Sequence, residues 1–283
     1  MARFSVVIPA YNEEKFLPRT IASIRRAEAA LGEKVEIIVS DNLSTDRTKE
    51  VARELGAMVV DEHVRCISAV RNRGARAATG EILVFVDADD SMSENMLVEV
   101  RSIMDSGRYV GGGARNTAYD RKSLGITTTH GLLQFRLWVE GISLFLFFTR
   151  KETFDAIGGY NVNMKVGEDY EIAVRLRRHG EARGKKFANV TTATLVKSSR
   201  KFNEYGDWAT FRHPIMAIKA ILNRPDAIHE IWYKARRESP AAEQFDTHES
   251  QRVSPDSILG KGAKPGYAEC TPSAPSRVSV ERE

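Results

Sequence analysis

The sequence has little cysteine: Cys66 and Cys270 are the only two in 283 residues. Neither sits in a C-x-x-C or Cys/His grouping, which argues against a structural zinc site. No G-x-G-x-x-G element follows the first apolar run, and Gly74 and Gly80 do not supply one, so a dinucleotide-binding dehydrogenase lacks its fingerprint. No long basic run is present either. The 42 basic residues are interspersed with 38 acidic ones, a balance that sets nucleic-acid partners aside. It fits a solvated surface first, and equally an anionic substrate or anionic lipid headgroups. No secretory signal opens the chain, because Met1 to Ser5 runs straight into the strand-like Val6-Val7-Ile8. The expectation is a cytoplasmic protein.

A membrane span is also missing. The most apolar stretch, Gly131 to Phe148, is slightly short for one and is broken by Gln134, Arg136, Glu140 and Gly141. The pattern predicts a helix over Leu132 to Glu140 and a buried strand over Ile142 to Phe148. A membrane-dipping helix is the alternative, and would make the protein peripheral on the inner face of a membrane.

What is present is a regular alternation. With 42% hydrophobic and 28% charged residues, the chain can bury a full core in one large domain. Phe4 to Pro9, Val35 to Ser40, Met58 to Val60 and Glu81 to Asp87 read as strands. Helical spacing over 13–30, 47–55, 67–78 and 94–104 separates or follows them. Such alternation implies an α/β fold with a mostly parallel, Rossmann-like sheet flanked by helices and right-handed crossovers. Beyond it, Val110 to Ala114 is glycine-rich enough to pass close to another backbone or a ligand. From Ser239 to Glu283 the chain is rich in Pro, Ser, Glu and Lys and poor in large apolar residues, and a disordered tail is expected.

Candidate chemistry begins at Asp87-Ala88-Asp89-Asp90. In an extended backbone the side chains of Asp87 and Asp89 point the same way, and two crowded carboxylates need a cation. Hard oxygen ligands favour Mg²⁺ or Mn²⁺, which commonly bridge few protein carboxylates and several phosphate oxygens. The motif also falls beyond the carboxyl end of a strand, where open parallel sheets bind ligands. A D-x-D in a turn or helix cap is common by chance, so its neighbours decide. Gly167-Glu168-Asp169 is a second acidic group, at the start of an amphipathic helix closed by His179-Gly180, where capping is the competing account.

Five segments occur in a telling order: Val7 to Glu13; Asp41 to Thr48; Arg71-Asn72-Arg73-Gly74 with Thr79-Gly80-Glu81; Asp87 to Asp90; and Thr149 to Asn161 leading into Gly167 to Glu171 and Arg175-Leu176. Together they resemble the family-two glycosyltransferases of the GT-A fold over roughly residues 4 to 180. The resemblance implies a single GT-A domain over residues 1–235, with a nucleotide-binding half to about 110 and an acceptor half over 111–235.

It further implies that Pro9, Tyr11 and Glu13 line a nucleotide pocket, that Asp41 hydrogen-bonds the base, and that Arg71 reaches the nucleotide or its phosphates. An aromatic face can stack on a base and a carboxylate can accept from a base N–H. Asp41 serving only as a helix cap is the competing account. Two positions depart from the family pattern, Asn42 standing for a common aspartate and Leu43 for a common glycine. Asp89 is the expected metal ligand; Asp87 would help it or contact the ribose, with Ala88 beside the donor. Asp169 is the expected general base and Glu168 its acceptor-orienting neighbour. Arg200 reads as a diphosphate clamp or a solvated basic turn, and His213 as a weaker candidate metal ligand.

The activity implied is inverting transfer of a sugar from a UDP- or GDP-linked donor to a hydroxyl on a sugar, lipid-linked or protein acceptor, as in bacterial-type cell-envelope polysaccharide or glycolipid synthesis. The rivals are a non-catalytic nucleotide-sugar-binding protein and a sugar nucleotidyltransferase. The second would need a glycine-rich basic loop where this chain has Pro9-Ala10-Tyr11-Asn12.

Overall fold

Every residue of Phe4–Ala10 is buried, as a strand covered on both faces requires. This strand, β1, is the centre of the fold in a computed structural model that describes residues 2–164, 167–200, 202, 206 and 207. The elements that follow are α1 (Leu17–Leu31), β2 (Val35–Asp41), α2 (Thr48–Glu54), β3 (Met58–Asp61), α3 (Ile67–Ala77), β4 (Ile82–Phe85), β5 (Ser91–Met92) and α4 (Met96–Asp105). The second half contains β6 (Tyr109–Ala114), β7 (Thr117–Tyr119), α5 (Leu124–Glu140), β8 (Phe145–Arg150), α6 (Lys151–Ala156), α7 (Glu168–Glu181), β9 (Lys186–Val190) and β10 (Leu195–Lys197).

Seven strands form one sheet in the order β3-β2-β1-β4-β8-β6-β9. β1 pairs in parallel with β2 and β4, and β8 runs antiparallel between β4 and β6. Alternation along β1 splits the core in two. Phe4, Val6 and Ile8 pack with Ile21 and Ile24 of α1 and Val100 of α4, whereas Val7 joins a second cluster with Ala75 of α3 and Ile172 and Leu176 of α7. The expected α/β sandwich is present, with helices on both faces. Gly74 lets α3 sit close: a Cβ there would collide with Val7. That tight seating brings Arg71, one turn earlier, to the carboxyl ends of the strands.

The structure corrects three expectations. β4 ends at Phe85, and Asp87 to Asp90 is a turn closed by the Asp90 N–H on the Asp87 carbonyl at 3.1 Å. The shared-face argument for Asp87 and Asp89 therefore does not hold. α5 starts eight residues before Leu132, capped by Ser123, whose Oγ accepts from the Ile126 N–H. A second sheet, β5-β10-β7, was not anticipated; its strands are two or three residues long, too short for periodicity to reveal. The close approach expected at Val110 to Ala114 is to backbone, a Cβ on Gly112 meeting the Ala188 carbonyl. Among the described residues no helix is long and apolar enough to cross a membrane. His213, most of the end of the acceptor half and the 239–283 tail lie outside the described residues.

Candidate active site

Two loops at the carboxyl ends of β1 and β2 are stitched together. The Asn12 N–H donates to Ser44 Oγ at 3.0 Å, the Thr45 N–H to Asn12 Oδ1 at 2.8 Å, and the Glu13 N–H to Thr48 Oγ1 at 2.8 Å. Asn12 and Leu43 take left-handed backbone, with φ of 54° and 61°. Asparagine tolerates that region; leucine pays about 1–2 kcal/mol for it. Asn42 explains its own departure from the family pattern: its Nδ2 donates to the Glu62 and Val64 carbonyls at 2.8 and 3.0 Å. An aspartate there would turn an acceptor towards two acceptors.

Asp41, at the end of β2, is fully buried. One oxygen accepts the Ser44 N–H at 3.0 Å within the loop, and α2 begins only at Thr48 behind Arg47, so Asp41 does not cap that helix. The other makes no hydrogen bond among the described residues, and neither does the Tyr11 hydroxyl. The guanidinium of Arg65 lies over the Tyr11 ring, 5.4 Å from its centroid. Pro9 and Ala10 close β1 beside this turn.

Among the described residues the acidic turn after β4 meets Arg71, Lys197 and Arg200. Arg71 is buried, and its Nη2 donates to Asp87 at 3.0 Å while Nη1 donates to Asp169 at 2.8 Å and Glu168 at 3.1 Å. Arg200 forms a two-pronged pair with Glu13 at 2.9 Å on each arm and reaches Asp89 at 3.1 Å. Lys197, on β10, sits 2.7 Å from Asp90 and 3.7 Å from Asp87. Ala88 is buried, and its carbonyl accepts from Thr20 Oγ1 at 2.7 Å, as does that of Asp90, which fastens the turn to α1.

The sequence reading missed Lys197. The signal was only a lone lysine after a short apolar pair, and nothing local shows that a second sheet carries it to the acidic turn. Burial pushes the Asp90 carboxyl up to about 6 although the Lys197 ammonium opposes the shift. Lys197 itself is held above the ordinary lysine value: desolvation pulls it down, but Asp90 and Asp87 outweigh that.

Glu168 and Asp169 open α7 after Gly167, whose φ is 84°. Neither caps the helix; both point to Arg71. Below them the Arg71 guanidinium lies 5.1 Å from the centroid of Tyr160, which packs against Phe85, Phe147 and Phe154. This apolar floor is why burial dominates the titration of Asp169. Its carboxyl is pushed up to about 7, with Arg71 drawing it back and Glu168 and Asp87 pushing further. About a third of its side-chain surface remains open, towards a cleft shared with Arg71, Asp87, Asp90 and Lys197. Leu146, with φ of 49°, strains the β8 wall of the same cleft.

The donor set suits a divalent cation of the expected kind. Among the described residues no three acidic, histidine or cysteine groups form a complete cage. Mg²⁺ and Mn²⁺, however, commonly take one or two carboxylates and complete their shell with phosphate and water. Asp89 and the more exposed Asp87, 42% open at its side chain, offer those two carboxylates.

The sequence pattern of glycosyl transferase family 2 matches residues 5–165. The chain belongs to that family. Proteins of similar sequence include 4,4'-diaponeurosporenoate glycosyltransferase of Staphylococcus haemolyticus, 36% identical over 107 residues, which is 34% of this chain and 26% of the relative. Another is validoxylamine A glucosyltransferase of Streptomyces hygroscopicus, 38% identical over 29% of this chain and 21% of the relative. The matched segments thus span about a quarter of the curated relatives' length. In three dimensions the chain resembles Staphylococcus aureus TarS in complex with UDP-GlcNAc, with a TM-score of 0.56 at 19% identity over 70% of this chain and 59% of TarS. It also resembles the mannosyltransferase PcManGT of Pyrobaculum calidifontis in complex with GDP-Man and Mn²⁺, with a TM-score of 0.57 at 18% identity over 89% of this chain and 76% of that one. The fold is GT-A.

Proposed function

We propose that this family-two protein transfers a sugar, with inversion, from a nucleotide-sugar donor to an acceptor hydroxyl. The observation that carries the proposal is Arg71, whose single guanidinium holds Asp87 and Asp169 on its two terminal nitrogens. An acid turn suited to a leaving diphosphate and a carboxylate suited to activating a hydroxyl are thereby fixed on one rigid group.

In this reading the base lies by Tyr11 and presents an N–H to the unused oxygen of Asp41, while Pro9 and Glu13 shape the pocket wall. Asp89, with Asp87, would hold Mg²⁺ or Mn²⁺, and the ion would neutralise charge on the departing diphosphate. Arg200, anchored on Glu13, adds a fork suited to phosphate oxygens. Asp169, near neutral in its proton affinity, takes the acceptor's proton as the hydroxyl attacks the anomeric carbon, and Glu168 orients that hydroxyl. Arg71 keeps Asp169 aimed and limits how far its proton affinity rises. No covalent intermediate is required.

The residues up to about 110 supply the donor side, and those beyond it the acceptor side. TarS is named as a poly(ribitol-phosphate) β-N-acetylglucosaminyltransferase, and such a relative supports an envelope-polymer or glycolipid role here. UDP-GlcNAc in TarS and GDP-Man in PcManGT support a UDP- or GDP-linked donor here. A thermal-shift panel of both nucleotides and their sugars, with and without Mn²⁺, tests the donor half of the reading. Stabilisation by one nucleotide, enhanced by the ion, is expected; none from any member would contradict it.

A further inference from the structure

Three stretches far apart in the sequence meet at the acidic turn. Arg19, in the first turn of α1, donates from Nη2 to the Asp89 carbonyl at 2.9 Å, and its Nη1 lies 3.5 Å from Asp120 Oδ2. With Thr20 accepting nothing but donating to the carbonyls of Ala88 and Asp90, neighbouring residues of α1 hold all of the successive carbonyls from 88 to 90. Asp120, just after β7, carries the link onward: its N–H donates to the Lys197 carbonyl at 3.0 Å, and its Oδ1 accepts the Ser199 N–H at 2.9 Å. The next residue is Arg200, whose Nη2 reaches the Asp89 carboxylate.

We propose that Asp120 and Arg19 are positioning residues for the donor, a role that rests on the transfer reaction proposed above. They set the main chain at Asp89 and beside Arg200 in one register, so that a divalent cation on the first and a diphosphate on the second are gripped together. Ser199 is only 4% exposed, and its buried N–H needs an acceptor, which Asp120 supplies. Burial would raise the Asp120 carboxyl, but the bonds from Ser199 and the charge of Arg19 hold it below the ordinary aspartate value, so both oxygens stay available as acceptors. A guanidinium on the Asp89 carbonyl fixes the peptide plane at that residue and with it the direction in which the carboxylate points.

Folding makes little demand on the Arg19–Asp120 contact. The two side chains are 44% and 29% exposed, and an ion pair this open adds little to stability. What it joins is specific to the site. The Arg200 guanidinium rests 4.9 Å from the centroid of Phe16 and pairs with Glu13, both just ahead of α1, so the start of that helix is a common frame for the clamp and for the acidic turn. Groups that orient metal ligands from behind affect affinity for the ion nearly as much as the ligands do.

The test is calorimetric titration of UDP and of GDP, with and without Mn²⁺, into the full chain and its variants. Asp120→Asn keeps an oxygen for the Ser199 N–H but turns an amide NH₂ towards Arg19, so it cuts only the link between them; Arg19→Met cuts the same link from the other end. For the nucleotide that the parent binds better, each is expected to reduce the enhancement by Mn²⁺ about tenfold while affinity without the ion stays within about twofold. The double variant should be close to Asp120→Asn rather than the sum of two losses, and the melting temperatures of both single variants should match the parent. Asp120→Ala also releases Ser199 and should weaken binding without the ion as well. An undiminished Mn²⁺ enhancement in the single variants, equal losses with and without the ion, or losses that add in the double variant would each overturn the proposal. These outcomes are separable from failure of the donor reading, in which Mn²⁺ would not enhance nucleotide binding by the parent itself and the positioning role would fall with it.

Discussion

Asp87 and Asp169 lie on different elements, one in the turn after β4 and one in the first turn of α7, yet both accept from Arg71, at 3.0 and 2.8 Å. A lysine ends in a single nitrogen on a flexible stem and lacks the planar fork whose two arms hold these carboxylates on separate nitrogens. Arg71→Lys is expected to lower kcat about 10- to 100-fold, the loss of one or two charge-assisted hydrogen bonds worth roughly 1.5–3 kcal/mol. Nucleotide affinity should change less, since Asp41 and Tyr11 are untouched. Steady-state kinetics alongside nucleotide titration separates the two effects.

The pH profile of transfer should rise with a single limb centred near about 7. The sign follows from the raised value: Asp169 binds a proton more tightly in the folded protein than as a free side chain, and only its deprotonated form accepts the acceptor's proton. Activity therefore appears as pH climbs through that value. Stability runs the other way, the contribution of the protonated carboxyl being lost as pH rises over the same range. A flat profile for kcat between mildly acidic and mildly alkaline pH would remove Asp169 as the base.

Much of this was legible in the sequence, and the reasons differ by element. Strands buried on both faces, such as Phe4–Ala10 and Ile82–Phe85, announce themselves as unbroken apolar runs. The acidic turn, Arg71 and the Glu168-Asp169 pair could be named as candidates from motif order, although not their convergence on one guanidinium. Lys197 and the sheet that carries it were hidden, because a strand of three residues has no period to read and its pairing with β5 and β7 is long-range. The geometry of Asp87 and Asp89 was misjudged for a related reason. Apolar character extends to Val86, while the strand stops at Phe85 because the chain must turn to satisfy Asp90 against Lys197 and Thr20.

Lys197→Met should destabilise the protein strongly. It strands Asp90, only 3% exposed at its side chain, without its cation, and breaking one side of a buried pair costs about 3–5 kcal/mol. Adding Asp90→Asn should recover most of that loss, since the stranded charge is then gone. Denaturant unfolding of the two single variants and the double variant checks the coupling; simple additivity would show that the pair is not what holds the turn.

Leu43→Gly and Asn42→Asp should move stability in opposite directions. Glycine relieves the left-handed strain at φ 61°, worth about 1–2 kcal/mol, against an entropy cost of about 0.5–1, so a net gain of up to about 1 kcal/mol is expected. Aspartate at 42 loses both donated hydrogen bonds to Glu62 and Val64 and should cost about 1–3 kcal/mol. Urea midpoints measured side by side decide both.

The most direct measurement of the central claim is transfer and nucleotide binding by Asp169→Asn in the same preparation. The account predicts that donor-nucleotide affinity, with its dependence on Mn²⁺, stays within about threefold of the parent while transfer falls by at least about 100-fold, at the lower end of what a general base contributes. Transfer at the parental rate by that variant would contradict it.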